Sequence, residues 1–319
     1  MEFIHPIKVW DYIIPNNIWL APMAGYSCKA FRLFVKSFGA GFAITEMVSL
    51  EGLIRNDKKT WKYVDIDEEE TTAIQLFGKA EPEKFYKASK ILQSRLNVKI
   101  IDVNFGCPVR KVVRSEAGSF LLKNPLSMGE IVKALKDSGV IVSAKIRCGF
   151  DRVNIEETIP VIDKAGADII ILHPRLATQF YTGRADWSLI KIARSMTDKI
   201  LIGSGDICTP MDVRERIEYT DVDGVMIGRY AVGSPYIFKQ VLDFFYNGEY
   251  RGYELDEIKK MMLEFANLYM KVENRTDLIP IRSTLIQYVK NFKNSSRIRE
   301  KLSKIKTLLE LENVIKDWN

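Results

Sequence analysis

Cys107 is the residue whose setting points most directly to chemistry. It lies in Val103-Asn104-Phe105-Gly106-Cys107-Pro108, just after an apolar run, where Gly106 permits a tight backbone path and Pro108 restricts the cysteine away from helical geometry. A thiol on such a loop can serve as a catalyst, whereas the ordinary alternative is a small buried apolar cysteine. Lys145 sits inside the apolar run Ser143-Ala144-Lys145-Ile146-Arg147, and lysine is rarely buried without a partner. With a period of two, Lys145 and Arg147 face the same way and could hold an anionic group. Two sharper readings of Lys145 stay open: a Schiff-base amine, or a cation beside an electron-rich cofactor ring. His173, one of two histidines, ends another apolar run in Leu172-His173-Pro174-Arg175, where it could equally cap its neighbours. Gly203-Ser204-Gly205-Asp206-Ile207 and Ile227-Gly228-Arg229 resemble a phosphate cradle, since glycines expose backbone N–H groups and an arginine can pair with the anion.

These residues need elements to bring them together. Short apolar, β-rich runs recur at Ile18 to Ala21, Phe42 to Thr45, Thr72 to Leu76, Ile100 to Asn104, Ile141 to Ile146, Asp168 to Leu172, Ile200 to Gly203 and Gly224 to Ile227, most of them leading into a helical pattern. Continuous apolar strands alternating with helices predict a parallel sheet covered by helices, and eight such units favour a closed (β/α)8 TIM barrel. The special residues cluster where each strand ends, which in a barrel is one shared face. No GxGxxG follows the first strand, so a Rossmann sheet is not expected.

After about Phe238 the pattern changes to three helical stretches. Ile258, Met261, Met262, Phe265, Leu268, Tyr269 and Val272 line the first; Ile281, Leu285, Val289 and Phe292 the second; Ile298, Leu302, Ile305, Leu309 and Ile315 the third. The reading is a barrel over residues 1–240 and a small helical bundle over 250–319, with the linker between Tyr246 and Tyr253. Lys and Arg exceed Asp and Glu by six over 319 residues, and the excess has an address. Between Arg275 and Lys306 nine basic residues stand against two acidic ones, so the rest of the chain is nearly neutral. A basic appendage on a neutral body raises the expectation of a polyanionic partner, against the plainer reading of a solvated face. The four cysteines form no CxxC pair, so neither a zinc site nor a disulfide framework is expected. No apolar run reaches the roughly 18 residues of a membrane span, and the expectation is a soluble, cytoplasmic protein.

At this point the ordered set resembles a family. Ala21-Pro22-Met23-Ala24-Gly25, Thr45-Glu46-Met47, Gln75-Leu76-Phe77-Gly78, Asn104-Phe105-Gly106-Cys107-Pro108, Lys145-Ile146-Arg147, His173-Pro174-Arg175, Gly205-Asp206-Ile207 and Gly228-Arg229, in this order, are similar to the tRNA-dihydrouridine synthases. The resemblance implies FMN as prosthetic group, NADPH or NADH as reductant, and tRNA as substrate, with hydride delivered to C6 of a uracil and a proton to C5. No obligatory protein partner and no metal are implied. Carried over residue by residue, it implies that Pro22, Met23 and Ala24 lie along the isoalloxazine, with Gln75, Lys145 and His173 among the flavin contacts. Ser204, Gly205, Asp206, Gly228 and Arg229 would hold the ribityl phosphate. Asn104 and Arg175 would touch the uracil, and Cys107 would be the general acid, which requires its thiol to stay protonated; the basic C-terminal segment, with Lys290, Lys293 and Arg297, would meet the RNA.

Two stretches depart from the family pattern. Pro174 and Leu176 replace the glycine and threonine of the usual His-Gly-Arg-Thr, and Ser204 replaces the asparagine of Gly-Asn-Gly-Asp. Alternatives are an FMN barrel acting on a free pyrimidine, a non-catalytic RNA-binding barrel and, more distantly, an aldolase using Lys145.

Overall fold

The computed structural model describes residues 3–66, 71–290, 292 and 295–318. A hairpin of β1 (Ile7–Val9) and β2 (Tyr12–Ile14) comes first, followed by β3 (Ile18–Leu20), β4 (Phe42–Ile44) and the two-residue β5 (Val48–Ser49). Then come β6 (Thr72–Phe77), β7 (Ile100–Phe105), β8 (Ile141–Gly149), β9 (Ile169–Leu176), β10 (Ile200–Ser204) and β11 (Gly224–Ile227). All strands from β3 on pair in parallel in the order β4-β3-β11-β10-β9-β8-β7-β6, and pairing of β4 with β6 closes the ring; β5 adds to β6 at the rim. This is the (β/α)8 barrel expected, with each of the eight predicted runs supplying one barrel strand.

The period-two pleat sorts the strand residues. Ile101, Val103 and Phe105 of β7 belong to the core that faces the helices, while Ile100 joins Trp19, Phe42, Ile44, Ala73, Ile141, Ile169, Ile171, Ile202 and Met226 inside the barrel. Ile7, Val9 and Ile14 of the hairpin belong to this inner cluster, so the hairpin plugs the end where the strands begin. Continuing the inward parity upward replaces isoleucine with Gln75, Asp102, Asn104, Ser143, Lys145, His173, Arg175 and Ser204. An apolar floor thus carries a polar upper layer.

The helical segment folds against this body. The helix Leu255–Val272 buries Ile258, Met261, Met262, Phe265, Ala266 and Tyr269, and Phe265 packs edge-on against Phe31 of the barrel helix Lys29–Ser37, 5.7 Å between centroids. Gly233 is required where the backbone of Gln287 comes close, since a Cβ there would lie 2.5 Å from its carbonyl oxygen. The third predicted stretch is two helices, Ser295–Leu302 and Leu308–Lys316. Thr307 and Glu310 form a capping box that restarts the helix, which turns Leu309 out to 64% exposure and buries Leu311 and Val314 instead. The chain between the barrel and these helices leaves the helix Ile237–Asn247 through Gly248 in the left-handed region.

Candidate active site

The polar layer is built around a chain of hydrogen bonds. Register places Gln75 opposite Asp102 and Asp102 opposite Ser143. Asp102 is wholly buried; it accepts from Ser143 Oγ (2.6 Å) and from Gln75 Nε2 (2.7 Å). Gln75 Oε1 then accepts from Asn104 Nδ2 (2.8 Å), and Asn104 Oδ1 accepts from the backbone N–H of Gly106 (3.2 Å) and Cys107 (2.8 Å). The loop that carries the thiol is therefore clamped from below by a buried carboxyl group. Its other side is held by Arg147, whose Nε donates to Gly106 O, and by Ser119 N, which donates to Cys107 O.

Burial pushes the half-buried Cys107 thiol above its ordinary range, and Arg147 and Lys145 offset this only in part. The thiol is thus protonated at neutral pH, as an acid must be. Lys145 makes no hydrogen bond or ion pair with the described residues. Burial pulls its ammonium down while Asp102 opposes, and burial pushes the Asp102 carboxyl up against its two hydrogen bonds and Lys145. Lys145 also acts on Cys107 and His173, so it is the charge at the middle of the layer.

His173 lies within 3.1 Å of Arg175 through Nε2. A guanidinium only donates, so Nε2 accepts and the proton of the neutral ring is on Nδ1. Burial and then Lys145, Arg147, Arg175 and Arg229 hold its pKa well below the ordinary value, which keeps the ring neutral. Arg175 is held by its neighbours. It is 2% exposed, and its guanidinium donates to the carbonyls of Thr182 and Gly183 and, twice, to Asp206. So held, it ties the loop 177–185 to the β10 end. Asp206 also accepts from Ala185 N, so its carboxylate holds the same loop rather than facing an anion.

The phosphate-cradle residues lie side by side at the ends of β10 and β11. Ser204 Oγ donates to Met226 O (3.0 Å), joining the two strands. The backbone N–H groups of Gly205, Asp206, Gly228 and Arg229 meet no backbone acceptor among the described residues. Arg229 is half exposed, 3.3 Å from Asp206 and 4.7 Å above the ring of Tyr181. Unsatisfied amides beside a half-exposed guanidinium fit a phosphate. Across the barrel seam, Ala21 N donates to Ile227 O, and Met23 Sδ lies 3.9 Å from where a Cβ on Gly228 would be. Pro22 and Met23 are half-buried and Ala24 is exposed; Ser27 Oγ and Glu46 hold their turn through Met23 N and Gly25 N.

The structure places the barrel-strand residues named from sequence, Gln75, Asn104, Lys145, His173, Arg175 and Ser204, in this one polar layer. Lys290 and Arg297 are exposed on the helical segment, and Lys293 lies outside the described residues. Asp102, Ser143 and Tyr181 were not singled out from sequence; the signal for Asp102 was a carboxylate in an apolar strand two residues before Asn104. Pro174 is explained by register. Pairing of β8 with β9 shifts between Arg147 and Gly149, and a bulge there tolerates a residue without an N–H.

A family model described as dihydrouridine synthase (Dus) matches residues 19–317. The chain belongs to the dihydrouridine synthase family. Among its relatives, a probable tRNA-dihydrouridine synthase of Aquifex aeolicus is 36% identical over 291 residues, covering 89% of this chain and 90% of that one. One of Treponema pallidum is 30% identical over 98% and 96% of the two chains, and the tRNA-dihydrouridine synthase B of Pseudomonas putida is 32% identical over 81% and 77%. Two solved structures share the barrel of this Dus chain at a TM-score of 0.60. A 2-naphthoyl-CoA reductase complex is 10% identical and covers 76% of the chain; histamine dehydrogenase from Rhizobium sp. 4-9 is 11% identical and covers 84%. The chain spans about half the length of each of these two, and the likeness is one of fold.

Proposed function

We propose that this protein reduces uridines in tRNA to 5,6-dihydrouridine, with FMN in the barrel mouth and NADPH or NADH as reductant. The observation that carries the reading is the thiol of Cys107, kept protonated by burial and clamped by Asn104 beside Lys145 in a mouth whose β10 and β11 ends offer free amides and Arg229. Bound FMN would supply the hydride for C6 of the uracil. The chain's own residues do the rest. The amides of Gly205, Asp206, Gly228 and Arg229 hold the phosphate, and Pro22, Met23 and Ala24 form the wall along the ring. The second N–H of Gln75 Nε2 is left to donate to the ring edge once Asp102 has taken the first. Lys145 offers a cation where negative charge gathers, and the Cys107 thiol gives its proton to C5. The target base must leave its stack to reach this depth, at a cost of a few kcal/mol, which contacts between RNA phosphates and basic side chains offset. The helices after residue 250, with Lys290, Lys293 and Arg297, form the tRNA-binding part of this reading, and the cytoplasm is where it would act.

The test is dihydrouridine mapping in tRNA incubated with the FMN-loaded protein and NADPH. Cys107→Ala keeps the flavin spectrum and its reduction by NADPH, while dihydrouridine formation falls by on the order of 10²–10⁴. Wild-type turnover holds through neutral pH and declines on the alkaline side, as the thiol loses its proton. Protein that takes up no FMN, or a Cys107→Ala variant as active as wild type, overturns the reading.

A further inference from the structure

Three consecutive strand-to-helix loops on the catalytic face line an open pocket next to the loop that carries the thiol. It has a volume of about 160 Å³ and is walled by Pro108, Val113, Phe150 and Phe180, with Arg110 and Arg114 on its rim. Pocket sizes of about 300–1,000 Å³ take a drug-sized ligand, so this one has room for a single planar ring system. Thr178 N donates to Phe150 O (3.0 Å), which fixes two of the walls together.

The cavity shows signs of a purpose beyond packing. Phe180 is 41% exposed while its backbone sits at φ +50 and ψ −99, a region that a bulky residue avoids. Folding gains nothing from straining a residue to hold a phenyl ring in water, so the strain points to an occupant. The rim says what kind. Arg110, Lys111 and Arg114 lie on a short helix that begins three residues after Cys107, all exposed and without an ion-pair partner among the described residues. Glu116, the nearest acidic residue in sequence, is taken by Lys79 at 2.8 Å. Lys123 adds a fourth cation, 4.1 Å above the Phe150 ring. Aromatic walls beneath a cluster of unpaired cations match a nucleotide: the base stacks and the phosphate pairs.

We propose that this cavity receives the base of a nucleotide flanking the target uridine, with Arg110 and Arg114 on its phosphates, so that the RNA is gripped at two adjacent nucleotides when one base is turned into the mouth. The proposal rests on the tRNA-reducing reading, and because Pro108 is both a cavity wall and the residue after the thiol, the two bases would lie on neighbouring sites.

The experiment uses full-length, FMN-loaded enzyme and a tRNA transcript shown to be a substrate. Phe180→Ala and the double variant Arg110→Glu/Arg114→Glu raise KM for tRNA on the order of tenfold, with NADPH reduction of the flavin unchanged. Phe180→Tyr, which keeps the stacking face, stays near wild type. A transcript carrying 4-thiouridine next to the modified position photocrosslinks to peptides containing residues 108–114, 150 or 177–180. Unchanged KM in both variants, or crosslinks confined to other peptides, overturns the cavity assignment while leaving tRNA reduction standing. Wild-type protein that makes no dihydrouridine would instead overturn the reading beneath it.

Discussion

Asp102 sets the direction of every amide above it. The oxygen that faces Gln75 accepts, so Gln75 turns Nε2 down and Oε1 up, Oε1 draws Nδ2 of Asn104, and Oδ1 of Asn104 is left for the amides of Gly106 and Cys107. Asp102→Asn keeps the shape but can place a donor against Gln75, which reverses both amides and sets Nδ2 of Asn104 against the N–H of Cys107. The expected result is a loss of dihydrouridine formation on the order of 10²-fold, the scale of a misplaced reacting group, with FMN still bound. Alkylation of Cys107, followed by peptide mapping, quickens as its loop loosens. Adding Gln75→Glu restores an acceptor beneath Asn104 and brings the alkylation rate back toward wild type. Equal rates in wild type and Asp102→Asn would show that the carboxyl group does not hold the loop. Gln75, Asn104 and Cys107 were each legible in the sequence, because each stands out at the end of an apolar run. The chain that joins them was not, because cross-strand register alone places Asp102 between Gln75 and Ser143.

Elements divide the same way. The eight barrel strands were legible because a strand covered on both faces must be apolar along its length, and that is a local signal. The hairpin of β1 and β2 was missed: each strand has three residues, and its turn uses Trp10 at φ +56 instead of a glycine or asparagine. The partners of Arg175 were also illegible, since Thr182, Gly183 and Asp206 come from two different loops. At the β10 end the two levels meet in Gly205. Its φ is +129, and a Cβ there would lie 2.9 Å from Ala185 Cβ and 3.0 Å from His173 Cδ2. Gly205→Ala therefore stores about 1–3 kcal/mol of strain in the loop. We expect a lower melting temperature and FMN binding weakened on the order of tenfold, read by flavin fluorescence. Gly252→Ala, where a Cβ meets nothing within 4 Å, serves as the control and leaves both unchanged. Equal FMN affinity in the two variants would remove the β10 loop from the phosphate site.

Over the whole molecule, the basic segment shrinks once its neighbours are counted. Lys301 pairs with Asp317 and Lys304 with Glu300, each at 2.7 Å, Arg275 stands 3.9 Å from Asp277, and Arg282 donates to the Lys304 carbonyl. Asp317 lies outside the stretch whose charge was summed, which is why a count along the chain overstates the free cations. Lys290, Arg297 and Lys306 remain exposed and without an ion pair among the described residues. Each phosphate contact releases counterions, so each lost cation lowers the dependence of log K on log salt by about one. Lys290→Glu/Arg297→Glu should weaken tRNA binding and reduce that slope by about two, with NADPH oxidation of the free enzyme unchanged. Neutralising both members of the Glu300–Lys304 pair to glutamine should leave the slope as it was, because an exposed pair presents little net charge to the RNA. A slope unchanged by Lys290→Glu/Arg297→Glu would place the electrostatic grip on the barrel itself, where Arg110, Lys111 and Arg114 stand beside the thiol.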